Sequence, residues 1–574
     1  MRTNVYSAIM AGLYITLLIG LSFLQIVRHD KYRTMSEENR LRVVPIMSPR
    51  GTIYDRNSRP VVKDAISFNA SLIYSQIKDK EALAAALSRA LDISADEAAE
   101  AIKRSRKQPF TLTVIMPDIG IEKAIALEEA GMDNPGLILD VMPRRQYIYG
   151  SSGANMIGYL GYINRDEYKR LRHYGYSIND LVGRDGIESY YDDYLRGSYG
   201  GKQIEVDNRG REVSLLGFKE PVPGRDIYLS VDMELQKFCD DLMLEKRGAI
   251  VVMDPKSGAV IALASSPSFD PEIFVDPSRK KERSSIMRDR QFPLMNRSIS
   301  GVYPPGSVFK MVVATAALDS GRQTEFTTFN CGGSFSLGRS TWKCWKEGGH
   351  GPQAMRDAIK HSCNVYFYNT GVAIGADLIT RYASNFGFGS LTGIDLPGEA
   401  RGIVSGAEWK RKFQASEWYK GDTVNYSIGQ GYLACTPIQV ARMVSVFANG
   451  GYLVRPHVVD RIEDVNIAGR EEIDMGISPE AMKIVREGLL KAVNETGGTA
   501  VRARVEGVTV AGKTGTAQTG GGPSRNHGWF AGFAPYEDAK VAVVIFDEHG
   551  GKSGYYAAET AGKVLSKAKD LGVL

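Results

Sequence analysis

Val5 through Val27 contains no charged residue over 23 positions, enough to cross a bilayer as a helix. No other feature limits the architecture as tightly, because the remaining ~545 residues hold no second apolar run of spanning length. One span and one large water-exposed portion are therefore predicted. A cleaved signal peptide is the competing reading, but its apolar core is normally shorter and ends at a small-x-small cleavage site. Here the run passes directly into Arg28-His29-Asp30-Lys31, which reads as an uncleaved anchor. Charge does not fix the orientation. Arg2 precedes the run and Arg28, Lys31 and Arg33 follow it, so the positive-inside rule favours neither side.

At 574 residues the chain is too long for one hydrophobic core and is expected to divide into roughly two to four domains. Hydrophobic residues make up 43% and charged residues 24%, as in ordinary globular proteins. The net charge is only +5 and no dense Lys/Arg run occurs, so nothing supports nucleic-acid binding. Residues 41 to 75 read as short strands with Gly- and Asn-bearing turns. Residues 78 to 132 carry helical spacing, as in Leu83, Ala86, Leu87 and Leu91, and read as a small helical insertion. Strand-like segments return at Leu137-Ile138-Leu139 and Ile204-Glu205-Val206. Pro221-Val222-Pro223-Gly224 is the expected domain boundary. Beyond it, Asp226 to Val231, Gly248 to Asp254 and Val541 to Phe546 read as buried strands. Met311 to Leu318 and Pro437 to Phe447 read as helices between them. Strands at both ends with helices between predict a mixed sheet covered by helices.

Three short motifs follow in order: Ser307-Val308-Phe309-Lys310, Ser362-Cys363-Asn364 and Lys513-Thr514-Gly515-Thr516. Each is weak alone. S-x-x-K is expected roughly two or three times by chance in such a chain, and stretches opening at Ser75, Ser278, Ser340 and Ser566 also fit. Ser67-Phe68-Asn69, Ser177-Ile178-Asn179 and Ser524-Arg525-Asn526 are further S-x-N matches, whereas K-T-G occurs once. Order and surroundings carry the argument. Tyr303-Pro304-Pro305-Gly306 places Ser307 at or near a helix N-terminus, where unpaired N–H groups and the helix dipole favour developing negative charge. A spacing of three puts Lys310 on the face of Ser307. A serine hydroxyl needs a neighbouring base to take its proton. Lys310 can serve if burial and a second cation, for which Lys513 is the candidate, discourage its ammonium.

Ser362 is placed to pass a proton between Lys310 and the leaving or entering amine, and Asn364 to hold Lys310 and a substrate amide. Lys513 to Thr516 reads as an edge strand beside the serine. Gly515 leaves room for substrate there, and Thr514 and Thr516 offer hydroxyls to a carboxylate. Backbone N–H groups of Ser307 and Thr516 would form an oxyanion hole. The bland alternative, a helix-capping serine and a solvated lysine, suits any one motif and not all three in sequence.

These residues resemble the class B penicillin-binding proteins, specifically the elongation-type penicillin-binding protein 2 branch. The resemblance also takes in the N-terminal anchor, Arg50 to Arg56, Gly186-Ile187-Glu188, Tyr191-Asp192, Leu195-Arg196-Gly197, Gly429-Gln430-Gly431 and Thr436-Pro437. It implies an α+β (mixed) protein: a cytoplasmic tail at 1–4, an anchor at 5–27 and a mainly-β pedestal at 28–224 with the helical insertion. A transpeptidase domain at 225–574, an antiparallel sheet covered by helices, would complete it. It implies a periplasmic peptidoglycan D,D-transpeptidase of cell-wall elongation that works through an acyl-serine at Ser307 and is inhibited by β-lactams, in the inner membrane. The implied partners are a SEDS-family glycan polymerase, rod-shape elongation proteins and stem peptides ending in D-Ala-D-Ala. A D,D-carboxypeptidase or β-lactam hydrolase, and a scaffold that mainly activates the polymerase, are the alternatives. Arg144-Arg145-Gln146-Tyr147 departs from the Arg-x-Tyr-Pro of many relatives.

Five cysteines, an odd number, cannot all pair within one chain. Cys331, Cys344, His350 and Cys363 match a closed zinc site in ligand type, although Cys331 and Cys344 lie thirteen apart. The resemblance strengthens zinc, since some relatives hold one here; one disulfide or free thiols are the other readings. The chemistry itself requires no cofactor. Cys239 and Cys435 read as small buried hydrophobes. His527 reads as part of a flexible loop flanking the cleft, and Trp529 as marking a return strand.

Overall fold

The computed structural model describes residues 2–33, 41–177, 180–206, 212–469, 471–520, 522, 525–551 and 553–574. The decoy Asn179 and residues Gly521, Pro523 and Ser524 of the loop before His527 lie outside the described residues. The chain clusters into two compact units. One holds residues 1–51, 64–145 and 196–224, the other 52–63, 146–195 and 225–574.

In the first unit the apolar run is helical throughout, as an α-helix over Arg2–Ser22 that continues through a π-helical turn at Phe23–Val27. None of Val5–Val27 is buried against protein. A helix apolar all round with no protein neighbour has a bilayer as its natural solvent. Strands Leu41–Ile46, Gly200–Val206 and Glu212–Lys219 form a three-stranded antiparallel sheet. Helices Lys80–Leu91, Ala95–Ser105 and Gly120–Asp133 bury Leu83, Leu87, Leu91, Ile102 and Leu127 in one small core with Leu72 and Leu137. The first two start at side-chain caps. Asp79 accepts from the amides of Glu81 and Ala82, and Ser94 forms a capping box with Glu97. The expected helical insertion is interrupted, however, by strand Thr113–Met116, which pairs with the end of strand Pro60–Leu72. Four residues are too few for a strand to show its period beside strong helical neighbours.

Arg145, in the stretch that departs from the relatives' pattern, is buried. Its Nη1 donates to the Gly51 carbonyl at 2.9 Å and to Asp64 Oδ1 at 3.1 Å, and Asp64 Oδ2 accepts from the Arg50 amide at 2.8 Å. A buried guanidinium needs such partners to offset its desolvation.

The second unit is built on a five-stranded sheet in the order Val260–Ser266, Gly248–Met253, Val541–Asp547, His527–Ala534, Ala511–Ala517, antiparallel throughout. Every residue of the first four strands is buried. Both faces are therefore covered, which explains continuous apolar runs instead of alternation. Helices Pro437–Asn449 and Ser553–Asp570 pack against this sheet. Helix Lys310–Asp319 lies in the main core, buried from Lys310 through Leu318. Residues 52–63 and 146–195 join this unit. Ile53–Tyr54 pairs in parallel with Ile227–Leu229, and Tyr191 donates its hydroxyl to Asp395 Oδ2 at 2.9 Å.

Candidate active site

The nucleophile turn is set by two glycines. Gly306 has φ +56°, and a Cβ there would stand 2.9 Å from the Thr516 carbonyl oxygen. Gly429 has φ +72°, and a Cβ there would stand 2.2 Å from the Gly306 carbonyl oxygen, while the Gly306 amide donates to the Gly429 carbonyl at 2.9 Å. Only residues without a side chain let three backbone segments meet this closely. Ser307 then sits in a 3-10 turn, Gly306–Phe309, that leads directly into helix Lys310–Asp319.

Lys310 is fully buried. Its Nζ donates to the Ser362 carbonyl at 2.9 Å and to Asn364 Oδ1 at 2.7 Å, with Ser362 Oγ at 3.4 Å. Burial pulls its pKa down to about 8. Ser362 has φ +53°, a left-handed conformation that costs a serine about 1–2 kcal/mol. Such strain persists only where surrounding structure enforces it. Here it turns the Ser362 carbonyl onto Lys310 immediately before helix Asn364–Ile374 begins.

Lys513 is also fully buried, and burial together with the Lys310 charge holds its pKa well below the usual lysine value. Its Nζ donates to the Thr514 carbonyl at 3.0 Å. It lies on the outermost strand of the sheet, which pairs on one side only among the described residues. A Cβ on Gly515 would meet the Pro305 carbonyl, Trp529 and Val308 at 3.1–3.2 Å, so the strand lies directly against the nucleophile turn. Thr516 is exposed, while Thr514 is nearly buried beneath Gly554 of the C-terminal helix. The three motifs thus meet: Lys310 bonds to Ser362 and Asn364, its charge acts on Lys513, and Gly515 and Thr516 lie against the turn that carries Ser307, with Thr514 on the same strand.

His527 is not in a loop. It is the first residue of strand His527–Ala534, buried, with its ring edge-on to Tyr303 and its Nδ1 accepting from the His549 amide at 3.2 Å. Burial and His549 lower its pKa to about 4, so it is neutral at ordinary pH. Trp529 lies on the same strand and donates Nε1 to the Pro304 carbonyl at 3.0 Å, bracing the turn before Ser307. The approach of Gly429 to Gly306 and the bond from this indole join distant segments that no local pattern announces.

The four cysteine and histidine candidates also meet. The ligand atoms of Cys331, Cys344, His350 and Cys363 all lie within 4.8 Å of one another, with His350 Nδ1 3.6 Å from the sulfurs of both Cys331 and Cys344. The thirteen-residue spacing is taken up by a hairpin, Ser334–Leu337 against Ser340–Lys343, which folds Cys344 back onto Cys331. A tetrahedral zinc with ordinary bond lengths sets a nitrogen–sulfur edge of about 3.6 Å, so the donor set fits that ion. All five thiols are unbridged, and Cys239 and Cys435 are buried.

Comparison with known proteins agrees with this geometry. A family model described as the penicillin binding protein transpeptidase domain matches residues 248–567. One described as the penicillin-binding protein dimerisation domain matches residues 45–229. The peptidoglycan D,D-transpeptidase MrdA of Escherichia coli K12 is 34% identical, over 95% of this chain and 91% of that protein. A structure of penicillin-binding protein PBP2 in complex with MreC from Helicobacter pylori superposes with a TM-score of 0.82 at 30% identity, covering 93% of this chain and 99% of that one. A peptidoglycan synthase complex, described as coordinating polymerization and crosslinking, contains a chain with a TM-score of 0.78 at 30% identity, with 98% of each covered.

Proposed function

This chain belongs to the penicillin-binding protein transpeptidase family, and we propose that it is a peptidoglycan D,D-transpeptidase that cross-links stem peptides during cell-wall elongation. One observation carries the mechanism: a fully buried Lys310 whose amine is shared between Ser362 and Asn364. Ser307 Oγ attacks the carbonyl carbon of the penultimate D-Ala as its proton passes to Lys310. The oxyanion is taken up by the backbone N–H groups of Ser307 and Thr516. The C–N bond then breaks, and the departing D-Ala receives that proton by way of Ser362. An amine from a neighbouring stem attacks the acyl-serine, its proton returns through the same groups to Ser307, and the cross-link leaves. Burial is what lowers the Lys310 pKa, and Lys513, whose own amine is pushed toward its neutral form, adds a second proton acceptor beside it in place of the second cation expected from the sequence. The open edge of strand Ala511–Ala517 suits an extended peptide laid along it, with Thr516 offered to its carboxylate.

The N-terminal helix fits a single-pass membrane anchor, and we place the catalytic unit outside the cytoplasm, where its substrate lies. By extension from the relatives, its partners would be a glycan polymerase of the SEDS family and rod-shape proteins such as MreC. Cys331, Cys344, His350 and Cys363 would hold a structural zinc. It would supply no step of acyl transfer but would fasten Cys363, between Ser362 and Asn364, to the preceding hairpin.

Intact mass spectrometry with and without penicillin tests the reading. Wild type should gain one acyl adduct that digestion maps to Ser307, and Ser307→Ala should gain none while unfolding at the same temperature. An adduct on another residue, or none on wild type, would overturn it.

A further inference from the structure

The segment that cradles the nucleophile turn continues into a group of aromatic rings that the mechanism does not use. Tyr432 lies three residues beyond Gly429, within ~11 Å of chain. Its ring is 5.5 Å from that of Trp409 on helix Ala407–Gln414, and Phe413, one turn further on, is 5.4 Å from Trp409. Lys410 fixes the group from beneath. Its buried ammonium lies 5.6 Å from the Tyr432 ring centre and 5.0 Å from that of Tyr419, and donates to Asp422 Oδ2 at 2.6 Å. Asp422 Oδ2 also accepts the Tyr419 amide at 2.7 Å. Despite this ordering, Phe413 and Tyr419 remain 60% and 63% exposed. Aromatic rings gathered in this way and left open to water form a binding surface at low conformational cost, because each has only two side-chain torsions to lose on contact.

We propose that this shelf binds the sugar rings of the glycan strand that carries the donor stem peptide, an inference that rests on the transpeptidase reading. A pyranose has flat C–H faces that stack on aromatic rings while its hydroxyls stay hydrated. A stretched pentapeptide stem reaches ~17 Å, and Tyr432 stands three residues beyond Gly429, which packs on the Gly306 carbonyl next to Ser307, so the aromatic segment begins within about one stem length of that serine. A peptide occupant is disfavoured, since the open strand edge already takes the extended backbone on the β-sheet side of Ser307.

The test uses the full-length protein in detergent and glycan chains from which an amidase has removed every peptide, with binding followed by tryptophan fluorescence. Wild type should bind these chains, and Phe413→Ala/Tyr419→Ala should bind about tenfold more weakly, with Phe413→Trp restoring affinity. Penicillin acylation of Ser307, followed separately, should change less than twofold in every variant. Failure of wild type to bind stripped glycan, or equal binding by the double variant, would overturn the shelf. Loss of penicillin acylation in the double variant alone would also overturn it, by making these rings part of the acylation site. A wild-type protein that never acylates would instead sink the transpeptidase reading.

Discussion

If Lys310 is the base proposed above, it works only when unprotonated, so its lowered pKa has a direct kinetic signature. The free amine increases as pH rises through about 8, and penicillin acylation measured by stopped flow from pH 6 to 9.5 should climb over that range and then level. The same depression affects stability. The fold accommodates the neutral amine better, so its contribution is full above the ordinary lysine pKa and is lost as pH falls through about 8. Lys310→Arg preserves a cation that cannot lose its proton. We expect acylation to fall by about 10³, with no recovery at any pH in that series. At this scale the motifs read from the sequence picked out residues that the fold brings together, Lys310 with Ser362 and Asn364 above all. The positive φ of Ser362 was not legible there, since no residue type declares a strain that only its neighbours impose.

Among the elements, the turn that carries Ser307 and the hairpin between Cys331 and Cys344 bring distant residues together. Gly429→Ala forces a side chain into the left-handed region, at about 1–2 kcal/mol, and drives its Cβ into the Gly306 carbonyl. It should lower the unfolding temperature and slow acylation together, whereas Gly450→Ala, also left-handed but with nothing within 4 Å, should affect only stability. If zinc occupies the Cys331–Cys363 cluster, native mass spectrometry will show one zinc on wild type and none on Cys344→Ser, and the variant will unfold several degrees lower. An unchanged mass and melting temperature on adding a strong chelator would rule the metal out. Long apolar strands and helices were readable here from apolar runs and helical spacing. Strand Thr113–Met116 was hidden by its brevity, and His527 looked like loop because the Gly-rich stretch before it masked where the strand begins.

For the whole molecule, the apolar N-terminus and the catalytic unit should be separable. Removing residues 1–33 should release the protein from the membrane fraction while wild-type penicillin acylation per molecule persists, as measured by gel fluorescence after fractionation. The existence of two units was foreseeable from length and from the proline- and glycine-bearing stretch before Arg225. That segments 52–63 and 146–195 cluster with the catalytic unit was not, because their pairing partners lie far along the chain. The unpaired side of strand Ala511–Ala517 has one further consequence. A strand edge without a ladder partner among the described residues offers backbone groups to other extended chains, including a second copy of itself. Its brevity, and the glycine at 515, keep such guests from adding enough contacts to remain. The protein therefore tolerates, beside the turn that carries Ser307, the kind of surface that most proteins take care to hide.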